Sequence, residues 1–460
     1  MASKRQRVAS PPPCEAPPVA NEYSGWRPSR GAALQRVACA SLTPRAFFER
    51  FVATRTPVIL TGGLPDAAWR APAAWTDEHL RAAAGAARVR VETRAHAGLP
   101  FGAGSHERMR FDAFLEQLHA LSGGDSLLYL TTEATRLDAH GRLAVVTPPL
   151  THLLADLPLR PALAGSLVPA AVNLWMGRAA AGASSGLHHD WHDNLYALLR
   201  GRKRFALYAP SDTGRMYAHG AARRVHANGR INYAGAPSRA DGADARDLAR
   251  VAALEAADAQ AALAAAEAAE RAGAPGARKA RRAAETALEA ALAETLRAEA
   301  LGAGDACGES GEEEDEDDDG DDGSDDAAAF CGQDDYQDSD AGDGSGDGDG
   351  GDDGEPPPHF SAVDASRPHD FPLFAEATCV HADVTAGELL FLPAGWWHEV
   401  TSWSDGGAGG DTHLACNWWF HPPDTADFDA PYSDTLWARD FAFWQRDILP
   451  TLGSEHDEAA

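Results

Sequence analysis

Residues 240–358, in the middle of this chain, break sharply with the composition of the sequence on either side. Their first half, 240–301, is mostly Ala with Arg, Glu and a sparse Leu series that includes Leu288, Leu292 and Leu296. Ala with charges at short intervals is intrinsically helical, and the "GAPG" at 273–276 divides the run into two predicted helices. The second half, 302–358, is Asp, Glu and Gly, a composition too polar to bury enough surface to order itself. Between Glu309 and Glu355 there are 23 acidic residues and no Lys or Arg. The formal net charge of −29 belongs to that segment, and without it the chain carries roughly −6, ordinary for a globular protein. Core-forming sequence flanks the insert on both sides, and neither flank reads as a complete domain. Closing a long loop costs little more than closing a short one. The pattern therefore predicts one domain built from residues 31–239 and 359–460, with 240–358 inserted at its surface. Residues 1–30, rich in Pro and Ala, are expected to be disordered.

Apolar residues make up 44% of the chain, enough for a sizeable core. The six cysteines (Cys14, Cys39, Cys307, Cys331, Cys379, Cys416) form no CxxC pair, which argues against a zinc ribbon and against a secreted disulfide framework. No apolar run reaches membrane-spanning length, and "MASKRQRVASPPPCEAPP" lacks a signal-peptide core. Cytoplasm or nucleus is the expected compartment. The charge pattern gives no direct nucleic-acid-binding signal. The acidic run can attract basic partners, such as histones, ribosomal proteins or Lys-rich segments, or can be a solvated spacer.

Along the flanks, "TPRAFFERFV" from Thr43 predicts a helix with a Thr cap and Pro at its first position. "TPVILTGG" reads as a short buried strand and "MRFDAFLEQLHAL" as an amphipathic helix. "SLLYLTTE" and "AAVNLWMG" are strand-like, as are "CVHADV", "ELLFLP" and "HLACNWWF" beyond the insert.

The densest chemistry is in "SGLHHDWHDN", residues 185–194. On a helix, His188 and His192 would share a face, as in zinc hydrolases, but the glutamate those enzymes need beside the first histidine is missing. On a strand, His188 and Asp190 point to one side and His189 to the other. Two strand-like runs follow, 195–199 and 203–208, joined at Arg200-Gly201-Arg202, and this hairpin-like context favours the strand. His189, His192 and Asp193 are then expected at the pocket mouth or in solvent. In the second run Lys203, Phe205 and Leu207 share a face; if that face is interior, Lys203 needs an anionic partner, and a ligand carboxylate is the natural one. A third metal ligand, His398, is delivered by "GELLFLPAGWWHEV". Two histidines and a carboxylate with open positions form the facial triad of non-haem Fe(II) oxygenases.

Taken together, "NLWMG", "HHDWHDNLYALLRGRKRFALYAP", "GELLFLPAGWWHEV" and "CNWWF" make the chain similar to the Jumonji C family of Fe(II)- and 2-oxoglutarate-dependent oxygenases, in family order over roughly 40–236 and 360–425. Its lysyl hydroxylase and factor-inhibiting-HIF branches are nearest. The resemblance implies an all-β core with flanking helices, a double-stranded β-helix of the jelly-roll, cupin-like kind. It implies Fe(II) on His188, Asp190 and His398, and 2-oxoglutarate with its far carboxylate on Lys203. Tyr129, Asn194 and Asn417 match residues of the co-substrate pocket, and Ser185 stands where these branches usually carry Thr. On residue type alone, Tyr129 has an alternative reading as a plain strand aromatic and Asn417 one as an edge-strand polar group.

Three functions follow as expectations. The first is hydroxylation of a protein side chain, lysyl or asparaginyl, in a protein or peptide substrate that the acidic run would bias towards basic sequences. The second is histone lysine demethylation by the same chemistry, and the third a non-catalytic scaffold. The apolar segment "SDTLWARDFAFWQRDIL", Ser433 to Leu449, could pair two copies of the chain or pack on the barrel.

Overall fold

The computed structural model describes residues 19–95, 102, 104–120, 127–132, 144–179, 181–304, 356–364, 366–404 and 412–452. The acidic run Glu309–Glu355, expected to be disordered, lies outside the described residues.

Among the described residues there are three β-sheets: two build the barrel, and a small third joins Ala20–Asn21, Ala222–Val225 and Ile231–Tyr233. The major sheet has nine strands, in the spatial order Gln35–Ala38, Val58–Thr61, Leu389–Leu392, Asp193–Arg200, His413–Phe420, Pro169–Gly177, Leu127–Thr131, Arg88–Arg94 and Ser105–Arg110. The minor sheet has four, in the order Cys379–Thr385, Arg202–Tyr208, Trp397–Trp403 and Ala183–Ser184. This is the cupin-like double-stranded β-helix, with helices laid on the outer face of the major sheet. Strand alternation divides the core in two. Leu195 and Ala197 face the helical layer, packing with Phe47, Phe51, Leu80, Phe114 and Leu118. Tyr196 and Leu198, one position out of phase, face the barrel interior with Phe205, Leu207 and Leu390. A sheet buried on both faces explains why "HLACNWWF" is apolar almost throughout, and all eight of its residues are buried.

The runs 193–200 and 202–208 differ from the expected hairpin. They do not pair with each other: the first lies in the major sheet and the second in the minor one. The chain turns the barrel corner at Gly201, where φ is +81° and a Cβ would meet the Trp403 carbonyl oxygen at 2.5 Å. The N-terminus also differs from expectation, because order begins before residue 31. Tyr23 is buried and donates its hydroxyl to the Trp26 and Arg55 carbonyls, and Trp26 stacks on Trp396. Two aromatic anchors hold a segment whose composition suggested a free tail.

Thr43 caps its helix as the sequence suggested, accepting from Ala46 N–H at 3.1 Å, but after Pro44–Phe47 the turn widens into a π-type segment, Phe48–Val52. The Ala-rich run forms two helices, Ala245–Arg271 and Ala277–Gly304, the first opened by an Asp244–Asp247 capping box. The start of the first helix is fastened to the C-terminal helix Leu436–Phe443 by Arg250, which pairs with Asp440 through two 2.6 Å bonds, and by Arg439, which reaches Glu255 and Asp258. Leu436, Trp437, Phe441 and Trp444 are buried in the core beneath. Among the described residues, no helix is long and apolar enough to cross a membrane.

One glycine controls the approach to the third histidine. Gly395 sits at φ +73°, and a Cβ there would lie 1.8 Å from the Gly229 carbonyl oxygen. Gly395→Ala is expected to destabilise the domain by at least about 2 kcal/mol, since the left-handed backbone alone costs a side chain roughly 1–2 kcal/mol. Chemical denaturation of the purified variant measures this.

Candidate metal centre

His188 and His398 stand opposite each other as an antiparallel pair and exchange both backbone bonds: His188 N–H donates to the His398 carbonyl at 3.0 Å, and His398 N–H returns a bond of 2.6 Å. Their rings are consequently 4.3 Å apart between centroids. Each ring is turned by a local carbonyl. The Nδ1 atom of His188 lies 3.0 Å from the Gly186 oxygen, and that of His398 lies 2.8 Å from the Trp396 oxygen. A carbonyl can only accept, so Nδ1 carries the proton in both rings and Nε2 keeps a lone pair for a metal.

Asp190 completes the group. Its carboxylate is 3.7 Å from His398 Nε2, and one ligand atom from each of the three residues lies within 4.8 Å of the others. Residues 189–192 are irregular, with bends at 191–192, and ladder pairing starts at Asp193. His188 and Asp190 nonetheless share a side, as alternation suggested. Gly395 N–H, bonded to the Asp190 carbonyl at 2.8 Å, ties the loop to the turn before His398. Burial raises the Asp190 pKa, opposed by His398 and by a hydrogen bond from Asn194; burial first, then His398, holds His188 well below the usual imidazole value. Three neutral or anionic donors with their lone pairs converging suit a divalent transition metal.

The Asp190 carboxylate is oriented by a directional chain. Trp175 Nε1–H donates to Asn417 Oδ1 at 2.7 Å, and Asn417 Nδ2 donates to Asn194 Oδ1 at 2.9 Å. The Asn194 amide group is left to donate to Asp190. An indole N–H can only donate, so both amide orientations are set from that end. Asn194 and Asn417, expected in the co-substrate pocket, thus lie within the barrel and also link its wall to the metal ligand.

Lys203 is turned inward with Phe205 and Leu207, while Arg204 between them is exposed and paired with Asp383. Lys203 is 3% exposed, and among the described residues no carboxylate pairs with it. Its ammonium lies 5.4 Å from the Tyr196 ring. Across the major sheet, Tyr129 stands in register with Gly177 and His413. A Cβ on Gly177 would lie 2.8 Å from Tyr129 and 3.0 Å from His413, so the glycine lets the two rings come to 5.7 Å. The Tyr196 hydroxyl and His413 Nδ1 are buried and have no hydrogen-bond partner among the described residues. An unpaired buried cation beside unpartnered polar atoms is the environment a small dianion would complete.

Ser185 has a structural use of its own. Its hydroxyl donates to the Gly186 carbonyl at 2.9 Å and accepts from Val400 N–H at 3.0 Å, fastening the ligand loop to the minor sheet. His189 and Asp193 do not line the pocket mouth or face solvent, and both are fully buried. His189 Nε2 bonds the Tyr233 hydroxyl at 2.7 Å, and Asp193 is held by Arg55.

Sequence reading missed Arg94, which is buried, donates to the Ser184 carbonyl at 3.0 Å, and lies 5.7 Å from the Tyr129 ring and 3.8 Å from Glu92. The signal was present in "RVRVETR": the valines fill one face and Arg90, Glu92 and Arg94 the other, yet Glu92 and Arg94 are buried.

Burial, then the Arg94 charge, lowers the Lys203 pKa from 10.5 to about 7. Below about pH 7 folded and unfolded chains both carry the proton and the full burial cost applies; between there and 10.5 only the unfolded chain carries it, so stability rises with pH. Lys203→Met is therefore expected to stabilise the ligand-free protein by about 1 kcal/mol or more near neutrality, with the difference shrinking towards pH 10. Denaturant melts at both ends of that range check it.

Three comparisons bear on the centre. The cupin-like domain family matches residues 44–426, across the insert. JmjC domain-containing protein 4 of Schizosaccharomyces pombe is 33% identical over 477 aligned residues, covering 90% of this chain and 91% of that protein. The human bifunctional peptidase and (3S)-lysyl hydroxylase JMJD7 is 29% identical over 179 residues, 37% of this chain and 52% of that protein. With its barrel, its triad and a match spanning nine-tenths of its length, the chain belongs to the cupin-like JmjC oxygenase family.

Proposed function

We propose that this protein is an Fe(II)- and 2-oxoglutarate-dependent hydroxylase acting on a protein side chain. The observation that carries the reading is the triad His188, Asp190 and His398, with both Nε2 lone pairs directed inward, in the same barrel as a buried Lys203 that no carboxylate among the described residues pairs with. Fe(II) and 2-oxoglutarate together supply the oxidising power that inserts one atom of O2 into a C–H bond, releasing succinate and CO2.

The chain's own groups divide the remaining work. His188 and His398 hold the metal through Nε2, their Nδ1 protons fixed by Gly186 and Trp396. Asp190 binds as a carboxylate that the Trp175–Asn417–Asn194 chain keeps oriented. Lys203 pairs with the far carboxylate of 2-oxoglutarate, with the Tyr129 and Tyr196 hydroxyls as further donors. Leu207, Phe205 and Leu390 keep water from the interior, which strengthens that ion pair. The (3S)-lysyl hydroxylase in the name of the human relative favours lysine as the target residue.

Turnover of 2-oxoglutarate to succinate over a peptide array, with wild type beside His188→Ala, tests the proposal. Particular peptides are expected to stimulate wild-type turnover and to gain one oxygen by mass spectrometry, with His188→Ala inactive. Loss of a methyl group from a methylated peptide would make the protein a demethylase instead. Absence of Fe(II) and 2-oxoglutarate binding would leave a scaffold. Lys203→Met is expected to weaken 2-oxoglutarate binding about 30-fold or more, the cost of leaving a buried charge unpaired. Calorimetric titration of the co-substrate reads that loss.

A further inference from the structure

The three candidate ligands sit on two segments, 188–190 and the turn leading to His398. Behind them, away from the ligand atoms, both segments converge on one buried ion pair. Asp193, three residues after Asp190, is fully buried, and Arg55 is 3% exposed. Arg55 Nη1 donates to Asp193 Oδ2 at 2.8 Å, and Nη2 donates to Oδ1. The same Oδ1 accepts Ala394 N–H at 2.9 Å, from the turn that precedes His398. Arg55 is itself fixed. Its carbonyl accepts the Tyr23 hydroxyl, its Nη1 also reaches the Val52 carbonyl, and its backbone holds φ +55°, unusual for a residue with a side chain.

A buried pair of this kind is a weak source of stability, because two apolar residues of similar volume usually serve as well. What apolar residues cannot do is accept the Ala394 N–H while locking the Asp193 carboxylate in one orientation. The pair is the only described ionic contact that joins the N-terminal helical layer to both ligand-bearing segments at once.

We propose that Arg55 and Asp193 are positioning residues of the metal centre: they set the separation and angle between the Asp190 loop and the His398 turn, and so the metal affinity and geometry. The proposal rests on the metal-centre reading above. It does not place either residue in contact with metal or substrate.

The test uses the full-length chain and Co(II), whose visible spectrum reports coordination geometry. The double variant Arg55→Met/Asp193→Leu replaces the pair by apolar side chains. It is expected to melt close to the wild type yet bind Co(II) about 10- to 100-fold more weakly, with a changed spectrum, as removal of groups that orient metal ligands does elsewhere. Asp193→Asn keeps the shape and an acceptor for Ala394 but loses the charge, and is expected to weaken Co(II) binding in the same direction by a smaller factor. A folded double variant with wild-type affinity and spectrum overturns the proposal. If the double variant does not fold, Asp193→Asn decides alone, and unchanged affinity and spectrum in it overturn the proposal equally. His188→Ala separates the two readings: if it binds Co(II) like the wild type, the metal-centre reading has failed rather than the positioning role.

Discussion

The reciprocal backbone pair between His188 and His398 is the contact on which the functional half of this molecule depends. It joins two points 210 positions apart in sequence and places their rings on one side of the barrel. The local carbonyls then choose the tautomer, and the Asn194–Asn417 chain turns the carboxylate. The site is assembled by main-chain hydrogen bonds first and side-chain hydrogen bonds second. Such preorganisation means that little ordering cost remains to be met when a ligand arrives.

The two faces of the major sheet divide the energetic tasks. The outer face is mostly apolar, with the Asp193–Arg55 pair set into it, and packs against the helical layer, so it supplies the stability. The inner face carries Asn194, Tyr196, Tyr129, His413 and Asn417 among its hydrophobic residues and shares the barrel with Lys203 of the minor sheet; among the described residues the Tyr196 hydroxyl and His413 Nδ1 have no hydrogen-bond partner. Those groups lower stability as they stand, and the first core tolerates that loss. A protein of this kind separates what makes it fold from what makes it react by the parity of a strand position.

That parity is also why much of the site was readable from the sequence. Alternation grouped His188 with Asp190 and Lys203 with Phe205 and Leu207, and the resemblance carried by the motifs supplied their roles and the cupin-like barrel. Other features depended on partners far along the chain. Nothing in "HHDWHDN" shows that Asp193 meets Arg55, or that His189 meets Tyr233, since neither partner is local. The expected hairpin at 195–208 failed for a related reason: a glycine turn between two strands looks the same whether they pair or part at a barrel corner. Arg94 was overlooked because a charged strand face is ordinarily read as solvated. Tyr23 and Trp26 were lost in a composition dominated by Pro and Ala.

The pairing order of the strands has a consequence for how the chain must acquire its structure. Asp193–Arg200 is flanked on both edges by strands from beyond the insert, Leu389–Leu392 and His413–Phe420, and Arg202–Tyr208 likewise by Cys379–Thr385 and Trp397–Trp403. During synthesis those two strands emerge with both hydrogen-bonding edges bare. The Ala-rich hairpin, whose contacts are local, can form long before they are covered. For the time it takes to translate the intervening residues, the nascent barrel is half a sheet. In that interval two of its most apolar strands present bare edges that other chains could pair with.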